Sequence, residues 1–100
     1  MKQDFGVVNG KIVVTLSGRL YVEDAAILRE RLLQYIDQGY KDFIVDMASV
    51  DYIDSSGLGV LVAIQKRSLQ NGGGVAIKGA KGVVQEIFEL TRLTKVFEMM

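Results

Sequence analysis

One carboxylate, two hydroxyls and two glycines fall together in Asp54-Ser55-Ser56-Gly57-Leu58-Gly59. A short extended piece, Tyr52-Ile53, precedes them and an apolar stretch from Leu58 follows, so the serines stand where a strand gives way to a helix. The N-terminus of a helix offers free N–H groups and the positive end of its dipole, which favour a phosphate. A serine there can bind a phosphate or carry one. Glycine inside a helix costs ~1 kcal/mol relative to alanine, so Gly57 and Gly59 suggest close approach of something to the backbone. A plainer reading stands beside this one. Ser55 or Ser56 would only cap the helix, and the glycines would only let it pack closely on a sheet. The residues alone leave both open. No Gly-Lys-Ser/Thr follows to make a phosphate-binding P-loop, and Gly57-x-Gly59 by itself is a weak dinucleotide signal.

The other candidates are thinner. The chain has no cysteine and no histidine. That excludes a thiolate nucleophile, a Ser-His-Asp triad and the commonest metal ligands, and makes an enzyme a poor expectation. Asp46, Asp51 and Asp54 suit a hard cation in principle, but solvated carboxylates at strand ends are the preferred reading, so no metal and no cofactor are expected. Tyr21, Tyr35, Tyr40 and Tyr52 are scattered, without a stacking platform, and Lys66-Arg67 reads as a solvated face. Lys+Arg and Asp+Glu both number 12, and a neutral chain is a poor nucleic-acid binder. Asp4 stands where a signal peptide needs its apolar stretch. The apolar run Leu58 to Ile64 is far short of the ~20 residues that span a bilayer. A cytoplasmic protein without membrane insertion is therefore expected. Hydrophobic residues make up 49% of the 100 residues and charged ones 24%, the balance of one globular domain over residues 1–100.

These residues need a scaffold, and the spacing supplies one. Asn9-Gly10 between two β-rich runs predicts a hairpin of Phe5–Val8 with Lys11–Ser17. Ala25, Leu28, Leu32, Tyr35 and Ile36 recur at helical spacing and predict an amphipathic helix over Glu23–Gln38, ended by Gly39. Phe43-Ile44-Val45 reads as a buried strand closed by Asp46, with Met47 to Asp51 as a connector. The helix after Asp54 is expected to run from Ser56 to Gln70 or Asn71, where Gly72-Gly73-Gly74 ends it. Val75-Ala76-Ile77 is the next strand. Val84, Ile87, Phe88 and Thr91 mark a third helix, and Val96-Phe97 reads as a last short strand. The order β-β-α-β-α-β-α-β predicts a mixed, largely parallel α/β sheet with helices packed on it.

The run Val45-Asp46-Met47, then Val50-Asp51-Tyr52-Ile53-Asp54-Ser55-Ser56-Gly57-Leu58-Gly59-Val60-Leu61, resembles the signature of STAS domains of the anti-sigma-factor-antagonist type. Gly18-Arg19-Leu20, the triple glycine and Phe88-Glu89-Leu90-Thr91-Arg92-Leu93 extend the resemblance over nearly the whole chain. It implies a mixed sheet of four to five strands with helices on one side. It also implies a switch: a serine kinase of ATPase fold, itself an anti-sigma factor, phosphorylates the serine after the motif aspartate, and a PP2C-type phosphatase reverses this. The unphosphorylated antagonist binds the anti-sigma factor and frees the sigma factor. By position that serine is Ser55, with Ser56 second. The resemblance further implies a partner surface of Asp54, Ser55, Ser56, Gly57, Leu58 and Gly59, with Tyr21 where relatives commonly carry an aspartate. Many relatives continue into another helix, so a chain ending at Met100 is expected to be a short form or a truncated one. The alternative role on the same fold is a scaffold, of stressosome type or as an accessory subunit of a lipid-transport ATPase.

Overall fold

The computed structural model describes all residues from Met1 to Met100. Strands β1 (Lys2–Val8) and β2 (Lys11–Leu20) form the antiparallel hairpin, closed by Val8 against Lys11. Asn9 (φ 52°) and Gly10 (φ 78°) both take positive φ, as a type I′ turn demands. Both strands outrun the expected ends. β1 begins at Lys2, and β2 continues through two register shifts to the buried Leu20.

Helix α1 (Val22–Asp37) buries Ala25, Leu28, Leu32 and Ile36, and Gln38 stands at its C-terminal end. Strand β3 (Asp42–Ile53) is one unbroken strand, so the expected connector Met47–Asp51 is wrong. Its polar residues look like a loop, but Met47 and Val50 are buried, and β2 is long enough to pair with β3 as far as Leu20 with Ile53. Asp46 does not close the strand; its carboxylate accepts the Ala48 N–H at 3.0 Å, beside the first register shift. Helix α2 runs Ser55–Gln70, strand β4 Gly74–Lys78 and helix α3 Gly82–Leu90. The expected strand at Val96–Phe97 is also displaced. A 3₁₀ turn at Leu93–Lys95 comes first, Phe97 turns inward edge-on to Phe88 (centroids 5.9 Å apart), and strand β5 is Glu98–Met99.

The five strands lie in the order β1-β2-β3-β4-β5, parallel from β2 onward. Each of α1, α2 and α3 therefore carries the chain one strand further in the same direction. Right-handed crossovers then put all three helices on one face. Burial agrees. Ile12, Val14, Leu16, Phe43, Val45, Met47, Val75 and Ile77 share one core with the buried faces of the helices. Val13, Ile44 and Ala76, which the register turns the other way, lie outside that core. No helix is long and apolar enough to cross a membrane.

Two polar side chains of α2, Gln65 and Ser68, are buried. Gln65 accepts the Val75 N–H at 2.7 Å and donates to the Val96 carbonyl at 2.6 Å. It ties the start of β4 and the segment before β5 to one helix. Leucine there would leave the buried Val75 N–H and the part-buried Val96 carbonyl unpaired, at about 1–3 kcal/mol for a fully buried group. Gln65→Leu is expected to lower unfolding stability by at least ~2 kcal/mol in urea titration; a loss under ~0.5 kcal/mol, the size of an ordinary surface change, would contradict the clamp.

Candidate functional site

Because β2, β3 and β4 are parallel, their C-terminal ends and the helix starts that follow gather at one edge of the sheet. Crevices at that edge are the usual binding places of open α/β sheets. Two of the junctions are bonded together: Leu20 faces Ile53, and the Asp54 N–H donates to the Leu20 carbonyl at 3.2 Å. Tyr21 and Asp54, the residues that turn each strand into its helix, are both extended.

Asp54 is the N-cap of α2. Its Oδ1 accepts the N–H of Ser56 at 3.0 Å and of Gly57 at 3.1 Å. Its carbonyl accepts Leu58 N–H at 3.1 Å as the first helical bond. A carboxylate suits this place, since it satisfies orphan donors and meets the positive end of the dipole. The expectation that Ser55 or Ser56 caps the helix is thus corrected: the helix starts at Ser55, and the cap is one residue earlier. Ser55 is exposed and Ser56 half-buried. Two of the backbone donors that could have received a phosphate on Ser55 are already held by Asp54.

The two glycines separate cleanly. Gly57 is buried, and a Cβ there would collide with Leu20 Cδ2 and stand 2.8 Å from Ile53 Cγ1. What approaches this backbone is the chain's own pair of strand ends. Gly59 is exposed, and a Cβ added to it would meet nothing within 4 Å. No packing inside the chain requires glycine at 59. Leu58 is half-buried, while Val60, Leu61 and Ile64 enter the core.

Tyr21 stands at the N-cap of α1, where its N–H donates to Asp24 Oδ2 at 3.3 Å. Its ring is 6.0 Å from that of Tyr52, and Arg19 Nη1 donates to its hydroxyl at 3.4 Å. The tyrosines expected to be scattered thus fall into two pairs: Tyr35 with Tyr40, ring centroids 5.8 Å apart, and Tyr21 with Tyr52, brought together because Arg19 faces Tyr52 across β2 and β3. Arg19, Tyr21, Asp51, Tyr52 and Val83 line an open groove of about 360 Å³. The hydrogen bond to Tyr21, and more weakly the charge of Asp51, hold the Arg19 guanidinium even more firmly protonated than usual. The chain's ion pairs are Met1 amine–Asp24 and Lys2–Asp4, so Arg19 has no carboxylate within 4.0 Å. Sequence spacing gives no sign of a site at Arg19, Tyr52 and Val83, because the register that assembles them passes through the segment that reads as a connector. A larger hollow of about 460 Å³, bordered by Asp42, Gly72–Gly74 and Glu98, lies at the opposite end of the strands, away from the serines. Asp46, Asp51 and Asp54 do not converge, and no group of acids is placed to hold a metal ion.

The family model described as STAS domain matches residues 3–100. The chain is 31% identical over 88 residues to the anti-sigma-B factor antagonist of Bacillus subtilis, covering 88% of this chain and 80% of that protein. A Thermotoga maritima crystal structure superposes with a TM-score of 0.91 at 23% identity, covering 97% of this chain and 84% of that one. The anti-sigma factor antagonist SpoIIAA superposes in its unphosphorylated form with a TM-score of 0.83 at 19% identity, covering 99% and 87%. Its phosphorylated form from Bacillus gives 0.82 at 18%, covering 99% and 91%. At such identities the solved structures establish the fold.

The glycines give opposite expectations. Gly57→Ala should destabilise by about 1–3 kcal/mol, the usual range for overpacking. Gly59→Ala should stabilise by up to ~1 kcal/mol through helix propensity. Thermal and urea unfolding of the two variants checks this; equal losses at both positions would contradict the assignment.

Proposed function

The chain belongs to the STAS domain family, and from that membership we propose that it is an anti-sigma-factor antagonist switched by phosphorylation of Ser55. In this reading it acts in the cytoplasm as a binding module and not as a catalyst. Unphosphorylated, it binds an anti-sigma factor that is also a serine kinase of ATPase fold, and so releases a sigma factor. The kinase transfers the terminal phosphoryl group of ATP to the Ser55 oxygen, which loses its proton, and the ester ends the interaction. A PP2C-type phosphatase hydrolyses the ester and restores the hydroxyl. Ser56 ranks behind Ser55 as acceptor.

One observation supports this best. Ser55 is exposed in the first turn of α2, yet the capping there is done by Asp54. The helix does not depend on the Ser55 hydroxyl, so the hydroxyl can be modified without dismantling the cap. Gly59, one turn further along the exposed side, adds to this. It keeps a residue of low helix propensity where no internal contact asks for one. A partner laid against Asp54, Ser55, Leu58 and Gly59 would account for the missing side chain.

The electrostatics follow from the cap. A phosphoserine adds ≈ −1.5 to −2 charge at neutral pH. With the Ser56 and Gly57 N–H groups occupied, the phosphate gains less from the helix start than an uncapped terminus would give it. It also sits beside the Asp54 carboxylate. Ser55 is exposed, and two unit charges about 4 Å apart in water repel by only about 1 kcal/mol, so the fold survives. An interface closing over Ser55 would instead bury an unpaired dianion, at a cost of several kcal/mol.

Ser55→Ala is expected to bind the kinase constitutively and to resist phosphorylation, while Ser55→Asp binds about a hundredfold more weakly. Ser56→Ala is still phosphorylated. Calorimetric titration against the kinase, with circular dichroism as folding control, reads the binding. Phosphorylation of Ser55→Ala but not Ser56→Ala would move the switch to Ser56, and equal binding by phosphorylated and unmodified protein would reject it.

A further inference from the structure

Tyr21, Val22, Tyr52 and Val83 are all substantially exposed, at 41%, 57%, 39% and 51%. They come from the N-cap and first residue of α1, the end of β3 and the start of α3. Topology alone gathers them at the edge that carries Ser55. Scattered apolar residues on a surface need no explanation, but a cluster rimmed by charge marks an interaction site. Tyrosine is among the residues that most often anchor such a patch. Arg19 rims the patch with a guanidinium whose one hydrogen bond is a long contact to the neutral Tyr21 hydroxyl. A bidentate guanidinium pairs best with a carboxylate, and none of this chain's carboxylates lies within 4.0 Å.

We propose that this groove is the specificity pocket for the anti-sigma factor, and that it receives an aliphatic or aromatic side chain flanked by a carboxylate of that partner. The inference rests on the function proposed above and goes further by fixing the sign and character of the partner's contact. The apolar side chain lies between Tyr21, Tyr52 and Val83, and the carboxylate meets Arg19. Asp51, on the same rim, disfavours a second acid and so sets which side of the groove the carboxylate takes.

The test uses the purified serine kinase as titrant and five forms of the full chain: unmodified, Arg19→Gln, Arg19→Lys, Tyr52→Ala and Ser55→Asp. Arg19→Gln is expected to lose about tenfold or more in affinity and to flatten the dependence on salt. Tyr52→Ala should lose about tenfold or more, as an aromatic anchor does, at an unchanged salt dependence. Each variant's melting curve shows whether it is folded. Arg19→Lys discriminates further: a point charge without the planar fork should restore the salt dependence but only part of the affinity. Should Arg19→Gln and Tyr52→Ala bind as the unmodified chain does while Ser55→Asp fails to bind, the pocket is wrong and the switch stands. Tighter binding by Arg19→Gln would also overturn the pocket, since the partner's facing group would then be basic. Absence of kinase binding by the unmodified chain overturns pocket and switch together.

Discussion

The carboxylate of Asp54 decides what the serines beside it are free to do. By accepting the Ser56 and Gly57 N–H groups it completes the first turn of α2 without help from either hydroxyl. The same residue is bonded through its own N–H to Leu20 of the neighbouring strand. Cap, strand end and helix start are therefore a single unit. Gly57 lets that unit close, because any side chain there would drive the helix off Leu20 and Ile53. The tight packing falls on groups with no room to change, and Ser55, just outside them, is left exposed.

Topology supplies the setting. Every parallel step runs the same way, so all helices lie on one face and all begin at one edge. The core holds that edge from beneath through Leu20, Val50, Ile53 and Val84. Gln65 holds the far side of the molecule by joining α2 to β4 and to the segment before β5. The packed frame thus presents the Ser55 hydroxyl at the same end as an apolar groove.

Much of this is legible in the residues. Asn9-Gly10 forces a type I′ hairpin, the helical stripe of α1 has a single apolar face, and Asp54-Ser55-Ser56-Gly57 marks a strand-to-helix turn. What the residues hide has a common cause. Ala48, Ser49 and Asp51 look like a loop because they are small or polar, yet β3 continues through them since β2 offers backbone partners to the end. Pairing is a non-local property, and no window of sequence contains it. The Tyr21–Tyr52 pair and the Arg19 rim stay hidden with it, since the two rings belong to distant stretches of chain and only the register joins them. Phe97 misleads for a similar reason: an aromatic beside a valine reads as strand, but its ring is claimed by Phe88. The cap is ambiguous in sequence because aspartate and serine are both good caps, and only geometry says which oxygen reaches the donors.

The central claim is that a phosphate on Ser55 alters the binding edge and leaves the frame intact. Amide NMR spectra of the protein before and after phosphorylation by the proposed serine kinase test it most directly. The account predicts chemical-shift changes confined to Arg19–Val22 and Tyr52–Gly59, with the amides of β4 and α3 beyond its first turn unmoved and the melting temperature preserved. Changes spread through β4, α3 and the Gln65 clamp, or a phosphate that maps away from Ser55, would contradict it.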